Sequence, residues 1–437
     1  MALVLTNALL VDIDPPRVER GSLRIEDGRI IARGADAKPQ VGDETIDCGG
    51  AVVLPGLVNG HTHLYSALAV GMPAPPETPA NFMEILRFVW WRLDQALDAE
   101  SIETSARIGA LQALRCGTTT LIDHHASPRA IEQSLDLVER GIDSVGLRGV
   151  LCYETTDRHG RGGRDRGLEE NRRYLGKTAL AKNATFAALV GAHASFTLDE
   201  DTLDALAGWA EEFATGVHIH VAEDPVDEEY CHREFQDALI DRLDRHGLLA
   251  PQHVFAHGTH LLDDAVARVN EAGLTLAHNP RSNMNNAVGY SPVGKLTCPV
   301  MLGTDGIGAD LFAEAQTAWF KSRDGGAGIS PSRVIAMLAQ SARRASATLN
   351  VTLGKLEPGA AGDVVVTDYV PFSELTAANL PGHFIFAMGS RHVRHVIARG
   401  RVALRDRVVQ TLDEPDVHRR SVATAAALWK RMEEIPC

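Results

Sequence analysis

Eight apolar runs, LVNGHTHL, TTTLIDHH, SVGLRGVLCY, TFAALVGAHA, GVHIHVAE, HVFAHG, LTLAHN and VMLGTDG, succeed one another between residues 57 and 306. Most are separated by helical segments of 12 to 20 or so residues, such as SIETSARIGALQALRCG and DEEYCHREFQDALIDRLDRHG. Strands that alternate with helices pair in parallel, because a parallel return needs a crossover about as long as a helix. The fold class is therefore α/β. The expected architecture is a (β/α)8 TIM-like barrel, with a doubly wound open sheet as its rival.

The ends of the chain have a different texture. ALVLTNALLVD, GSLRIEDGRIIARG and ETIDCGGAVVL read as short strands, with Asp27-Gly28 as a hairpin signal, and the same texture returns in GDVVVTDYV and HVRHVIARGRVALRDRVV. A chain of 437 residues is longer than one core usually organises. The expected division is a composite β-sandwich domain from residues 1–55 with 356–437, and a barrel over 56–355. A terminal helix over roughly residues 415–434 is expected to pack on either unit.

Composition narrows the partners. A net charge of -14 argues against nucleic acid and anionic membrane, both of which need a basic surface, and favours a small neutral or cationic ligand. No apolar stretch approaches the roughly 20 residues that span a bilayer. The N-terminal MALVLTNALLVDIDP lacks the basic flank and cleavage signal of a secretory peptide, so a cytoplasmic location is expected. The six cysteines form no CxxC pair, so any metal must be held by nitrogen and oxygen.

Nearly every apolar run ends in a side chain able to bind metal or move a proton: His61 and His63, His124 and His125, His193, His220 with Glu223, His257, His278 and Asp305. Barrel enzymes build their sites at the C-terminal ends of the strands, so these residues ring one mouth. Side chains two apart on a strand leave the same face about 7 Å apart, which lets His61 and His63 converge on one ion. Three neutral imidazoles and one carboxylate leave a divalent cation positive and with room for water, so His61, His63, His220 and Asp305 are the expected ligands. His218 shares the face of His220 but sits deeper, where packing is expected. Glu223 suits a proton carrier between water and a substrate nitrogen, and His257 suits a group that holds the reacting water. Arg148, Arg281, Asn283 and the Trp90-Trp91 pair are expected near the mouth, where they would read ring atoms or stack on a flat ring.

In the order PGLVNGHTHL, HVAE, AHGTHL, HNPRSN and GTDG, the chain resembles the amidohydrolase superfamily, in its branch of mononuclear deaminases and chlorohydrolases. More closely, WWRLDQALDAES, IDHHASP, CYETTDRHGRGG, HIHVAED, HNPRSNMNN and LGTDGIGADLF resemble the SsnA-type aminohydrolases, which are found with purine-catabolism genes. The resemblance implies a barrel with a β-sandwich from both termini, a single zinc or iron, and hydrolytic removal of an exocyclic amine from a heteroaromatic ring. It also implies His61, His63, His220 and Asp305 as ligands, Glu223 as proton shuttle, catalytic roles for His257 and Asp305, and substrate contact by His193. Relatives with two metals bridge them with a lysine at the end of strand four, whereas LVGAHASF has none. One metal is therefore expected. The alternatives are loss of chloride, opening of a cyclic amide, or a silent scaffold. Expected partners are a small heterocycle, water and further copies of the chain in a homo-oligomer.

Overall fold

A computed structural model describes residues 2–181 and 184–436. The barrel strands are Leu57–Thr62, Thr118–His125, Arg148–Tyr153, Phe186–Ala188 continued as Val190–Ala194, Val217–Val221, Val254–His257, Thr275–His278 and Val300–Leu302. All their pairings are parallel, in one run of four strands and one of five. A bridge between Thr155 and Ala192 joins the runs, and a bridge between Thr62 and Asp305 returns the last strand to the first. Covered on both faces, such strands are apolar almost throughout, which is why they appear in the sequence as continuous runs.

Alternate residues of the strands face inward. Val58, Ile122, Val150, Val254, Ala256, Ala277 and Met301 fill the interior with an apolar plug below the histidines. Gly303 lets the last strand close on the first: a Cβ there would lie 2.7 Å from the His61 Cβ and 2.5 Å from Asn279 Oδ1.

Both chain ends contribute to one nine-stranded sheet, in which Val52–Pro55 lies between Leu3–Ile13 and Val364–Thr367. Leu5, Leu10, Leu23, Ile30, Val53, Val364 and Ile397 form its core. Only Gly56 separates the strand Val52–Pro55 from the first barrel strand, so the sheet is tied directly to the barrel. The helix Glu414–Glu433 packs on the barrel side. Arg92 donates to the carbonyls of Met432 at 2.7 Å and Ile435 at 2.9 Å, and Trp429 Nε1 donates to the Leu68 carbonyl at 2.9 Å. Among the described residues no helix is long and apolar enough to cross a membrane, and the five described cysteines are free.

Candidate metal centre and its cavity

The histidines at the mouth are fixed through one ring nitrogen each. His63 Nδ1 lies 2.6 Å from the His124 carbonyl, and His220 Nδ1 lies 2.8 Å from the His193 carbonyl. A carbonyl only accepts, so both rings carry a hydrogen on Nδ1, and each neutral ring has a bare lone pair on Nε2. These two Nε2 atoms face each other at 3.1 Å, and two neutral rings put no hydrogen between them. His61 Nδ1 is 2.9 Å from His218 Nε2, while its own Nε2 is buried without a hydrogen-bond partner. Asp305 Oδ1 stands 3.4 Å from His61 Nε2 and 3.0 Å from His63 Nε2. Electron-rich atoms at such separations repel unless a cation lies among them. An ion with tetrahedral nitrogen and oxygen ligands at about 2.0–2.1 Å sets its donors about 3.3 Å apart, so His61, His63, His220 and Asp305 fit a single divalent cation.

Donor atoms of His61, His220, His257 and Asp305 lie within 4.8 Å of one another, and so do those of a second group, His63, His124, Glu154 and His220. In the second group both nitrogens of His124 are already engaged within the protein, Nδ1 3.1 Å from Glu154 Oε2 and Nε2 3.1 Å from the His218 carbonyl. This group is therefore a hydrogen-bonded wall of the site. His257 approaches from the other side, with Nδ1 2.8 Å from Asn283 Oδ1 and Nε2 3.6 Å from Glu223 Oε2.

The backbone turns sharply where the key side chains leave their strands. His257, Asp305 and Ala222, the neighbour of Glu223, have φ of 73°, 53° and 51°. Left-handed conformations of this kind cost non-glycine residues about 1–3 kcal/mol each and persist only where the surroundings enforce them. Here the enforcement is visible. The amides of Thr304 and Asp305 both donate to the His61 carbonyl, at 2.9 and 3.0 Å, and Ser282 Oγ donates to Asp305 Oδ2. Buried Asp227 accepts from the amides of Ala222 at 2.8 Å and Phe196 at 3.2 Å, which fixes the loop that carries Glu223. Burial pushes the Glu223 carboxyl up to about 7, against the opposing pull of His257.

Between these residues and solvent lies a cavity lined by His63, His193, His220, Glu223 and Asp305, under a cover of Phe82, Leu86, Trp90, Trp91 and Phe196. A π-helical turn over Leu86–Trp90 carries the first tryptophan and leads directly into the second. Such wide turns recur at functional sites because they re-aim side chains that a regular helix would spread. Trp91 stands edge-on to His193 with ring centroids 6.2 Å apart, and the Arg158 guanidinium lies 4.4 Å above the Trp91 ring.

His193 and Trp91, expected as substrate contacts, line this cavity. Two other expectations are corrected. Asn283 is buried beneath the mouth and is occupied with His257. Arg148 opens its strand, so it lies at the barrel end opposite the mouth. There its Nε donates to Asp363 Oδ2 at 2.8 Å and its Nη1 donates to the Ala184 carbonyl, an anchor between the barrel and the terminal sheet. Arg281 is likewise engaged by buried Glu314. Sequence reasoning missed Glu154, Asp94 and Arg158. Glu154 follows its barrel strand by one residue, the same positional signal that singled out the histidines.

Residues 52–403 match the amidohydrolase family. The chain belongs to that family. The 5-methylthioadenosine/S-adenosylhomocysteine deaminase of Desulforudis audaxviator is 30% identical over 442 residues, covering 98% of this chain and 99% of its own. The 5'-deoxyadenosine deaminase of Methanosarcina mazei is 27% identical over 439 residues, at 98% and 99% coverage. Among solved structures, an adenosine deaminase from Xanthomonas campestris with bound zinc superposes with a TM-score of 0.85 at 21% identity, covering 99% of each chain. Atrazine chlorohydrolase from Arthrobacter aurescens TC1 complexed with zinc gives 0.79 at 19% identity, covering 98% of this chain and 100% of its own. This amidohydrolase therefore shares its fold with deaminases and chlorohydrolases alike, and its two sequence relatives named here are deaminases.

Proposed function

We propose that this amidohydrolase is an aminohydrolase that exchanges an exocyclic amine on a nitrogen heterocycle for oxygen. One observation carries the reading: lone pairs of anchored imidazoles converge with Asp305 beside a buried glutamate, in a cavity roofed by aromatic rings. The names of the relatives, deaminases of adenine nucleosides, support an amine as the leaving group. His61, His63, His220 and Asp305 would hold a divalent cation, zinc or iron, which would supply Lewis acidity and lower the pKa of a water to about 7.

The protein's own groups do the rest. Glu223 takes a proton from the attacking water and returns it to a ring nitrogen, and Asp305 takes the remaining hydroxyl proton and passes it to the amine, so that ammonia leaves and the ring stays closed. His257, held by Asn283, orients that water from the side opposite His63. His193 touches the substrate, and Trp91 stacks on a flat ring while the neighbouring apolar cover excludes bulk water. The test is a panel of aminopurines, pterins and triazines assayed for ammonia together with product mass. Chloride release or a ring-opened product in place of ammonia and a closed ring would replace this reading with a chlorohydrolase or cyclic-amide hydrolase. Light scattering of the purified chain tests the expected homo-oligomer.

A further inference from the structure

Glu154 is a carboxylate beside the metal-facing histidines, lining the cavity, to which the proposed mechanism gives no task. It is 4% exposed, and a carboxylate oxygen lies within 4.8 Å of ring nitrogens of His63 and His220. Oε2 is satisfied by His124. Oε1 has no partner at hydrogen-bond distance: Arg158 Nη2 is 3.6 Å away and His193 Nε2 is 3.7 Å away.

His193 adds a second acceptor on the same wall. Its Nδ1 is 2.7 Å from Thr197 Oγ1, whose hydroxyl donates to the Ala194 carbonyl at 3.0 Å. The hydrogen therefore sits on Nδ1, and Nε2 presents a lone pair close to that of Glu154 Oε1. Glu154 and His193 both line the cavity, whereas Arg158 does not and is held by Asp94 Oδ2, 3.3 Å from its Nη2, and by Thr156 Oγ1, 3.2 Å from its Nε. The wall therefore offers two adjacent acceptors, whose complement on a ring is an N–H.

We propose that Glu154 recognises an N–H edge of the substrate, with Oε1 accepting from the ring N–H next to the carbon that carries the amine. The inference rests on the aminohydrolase reading. It divides the two flanks of the reacting carbon: the bare ring nitrogen faces Glu223, on the His257 side, and the N–H faces Glu154, on the His63 side. A ring with bare nitrogens on both flanks would set a lone pair against Glu154 Oε1 and His193 Nε2. The substrate class is thus a heterocycle with a ring N–H beside the carbon that carries the amine, as in an amino-lactam.

The test uses the full chain loaded with one equivalent of zinc and measures ammonia release from two pairs that differ only in the lactam: guanine against 2-aminopurine, and isocytosine against 2-aminopyrimidine. A hydrogen bond to a charged group corresponds to about 10- to 150-fold, so the lactam member of each pair is expected to have the higher kcat/KM by that factor. Glu154→Gln keeps the shape, and is expected to retain zinc while the ratio falls to within about threefold. Damage that is merely structural would lower both members alike and leave the ratio intact. Glu154→Asp, which shortens the reach of the carboxylate, is expected to reduce the same ratio and serves if Glu154→Gln does not fold. A ratio unchanged in the variants, a wild-type preference for the lactam-free rings or for adenosine, or loss of zinc in Glu154→Gln each overturns the inference and leaves the aminohydrolase reading standing. No ammonia from these rings, with release from another member of the panel above, overturns this inference alone; no ammonia from any ring of either set with zinc bound overturns the aminohydrolase reading as well.

Discussion

Replacing Glu223 by glutamine separates proton transfer from metal binding. The glutamine side chain has the same size, and its amide can still meet Asn286, which donates to Glu223 Oε1 at 3.5 Å. The carboxylate is not one of the four converging donors, so metal content is expected to stay at one equivalent. Turnover is expected to fall by 10²- to 10⁴-fold, about 3–5 kcal/mol of barrier, because an amide can neither take the water's proton nor pass it on. The pH profile gives a second reading. Burial raises the free carboxyl to about 7, and a bound cation pulls it down again. Wild-type kcat/KM therefore rises with pH along an acid limb whose midpoint lies at or below about 7, and the variant lacks that limb. The stability change has the opposite sign. A carboxyl whose pKa is raised on folding contributes stability that is fully present below its unfolded value and lost as pH rises through about 7. In the metal-free protein above that pH, Glu223→Gln is thus expected to melt no lower than wild type, which separates a chemical defect from misfolding. The assays are ammonia release, metal analysis and a melting curve on the same preparations. Turnover within about threefold of wild type would remove Glu223 from the shuttle role, and loss of the metal would make it a support of the ligands.

Four further outcomes follow from the geometry. Chelation leaves the facing Nε2 atoms and Asp305 to repel one another, so melting temperature drops, and free metal at a thousand times its Kd restores about 4 kcal/mol; an unchanged melting curve would refute the site. His218→Ala removes the partner of His61 Nδ1 and lowers metal affinity by about 10- to 100-fold in a competition titration, whereas a packing residue would leave affinity unchanged. Asn283→Ala frees the His257 ring and lowers kcat by about 10- to 100-fold with metal bound and KM little changed, while a dominant rise in KM would return Asn283 to the substrate. Arg148→Met strands buried Asp363 and destabilises the chain by about 3–5 kcal/mol in denaturant unfolding without a change in KM.

What the sequence discloses of this protein follows from periodicity and position along each strand. The parallel barrel was legible because strands covered on both faces must be apolar end to end, and the mouth was legible because a polar residue at the finish of such a run has only the mouth to face. The same rule misleads for Arg148. A cation inside an apolar run satisfies the pattern of a site residue, yet it lies at the start of the strand, where Asp363, 215 positions away in the chain, neutralises it. Asn283 shows a second limit. Its nearness to His257 arises from two strand-end loops meeting, and no spacing within HNPRSN predicts which side chain the amide will meet. Glu154 shows the third. It stands where the strand rule would place a functional carboxylate, but its role depends on which of its oxygens is already occupied, and that is decided by the ring of His124, fixed in turn by the His218 carbonyl. Ligand identity can therefore be read from residue type and strand position, because a metal needs only converging lone pairs. Recognition of the substrate depends on which lone pairs and hydrogens remain after the protein has satisfied its own, and that remainder exists only in the folded chain.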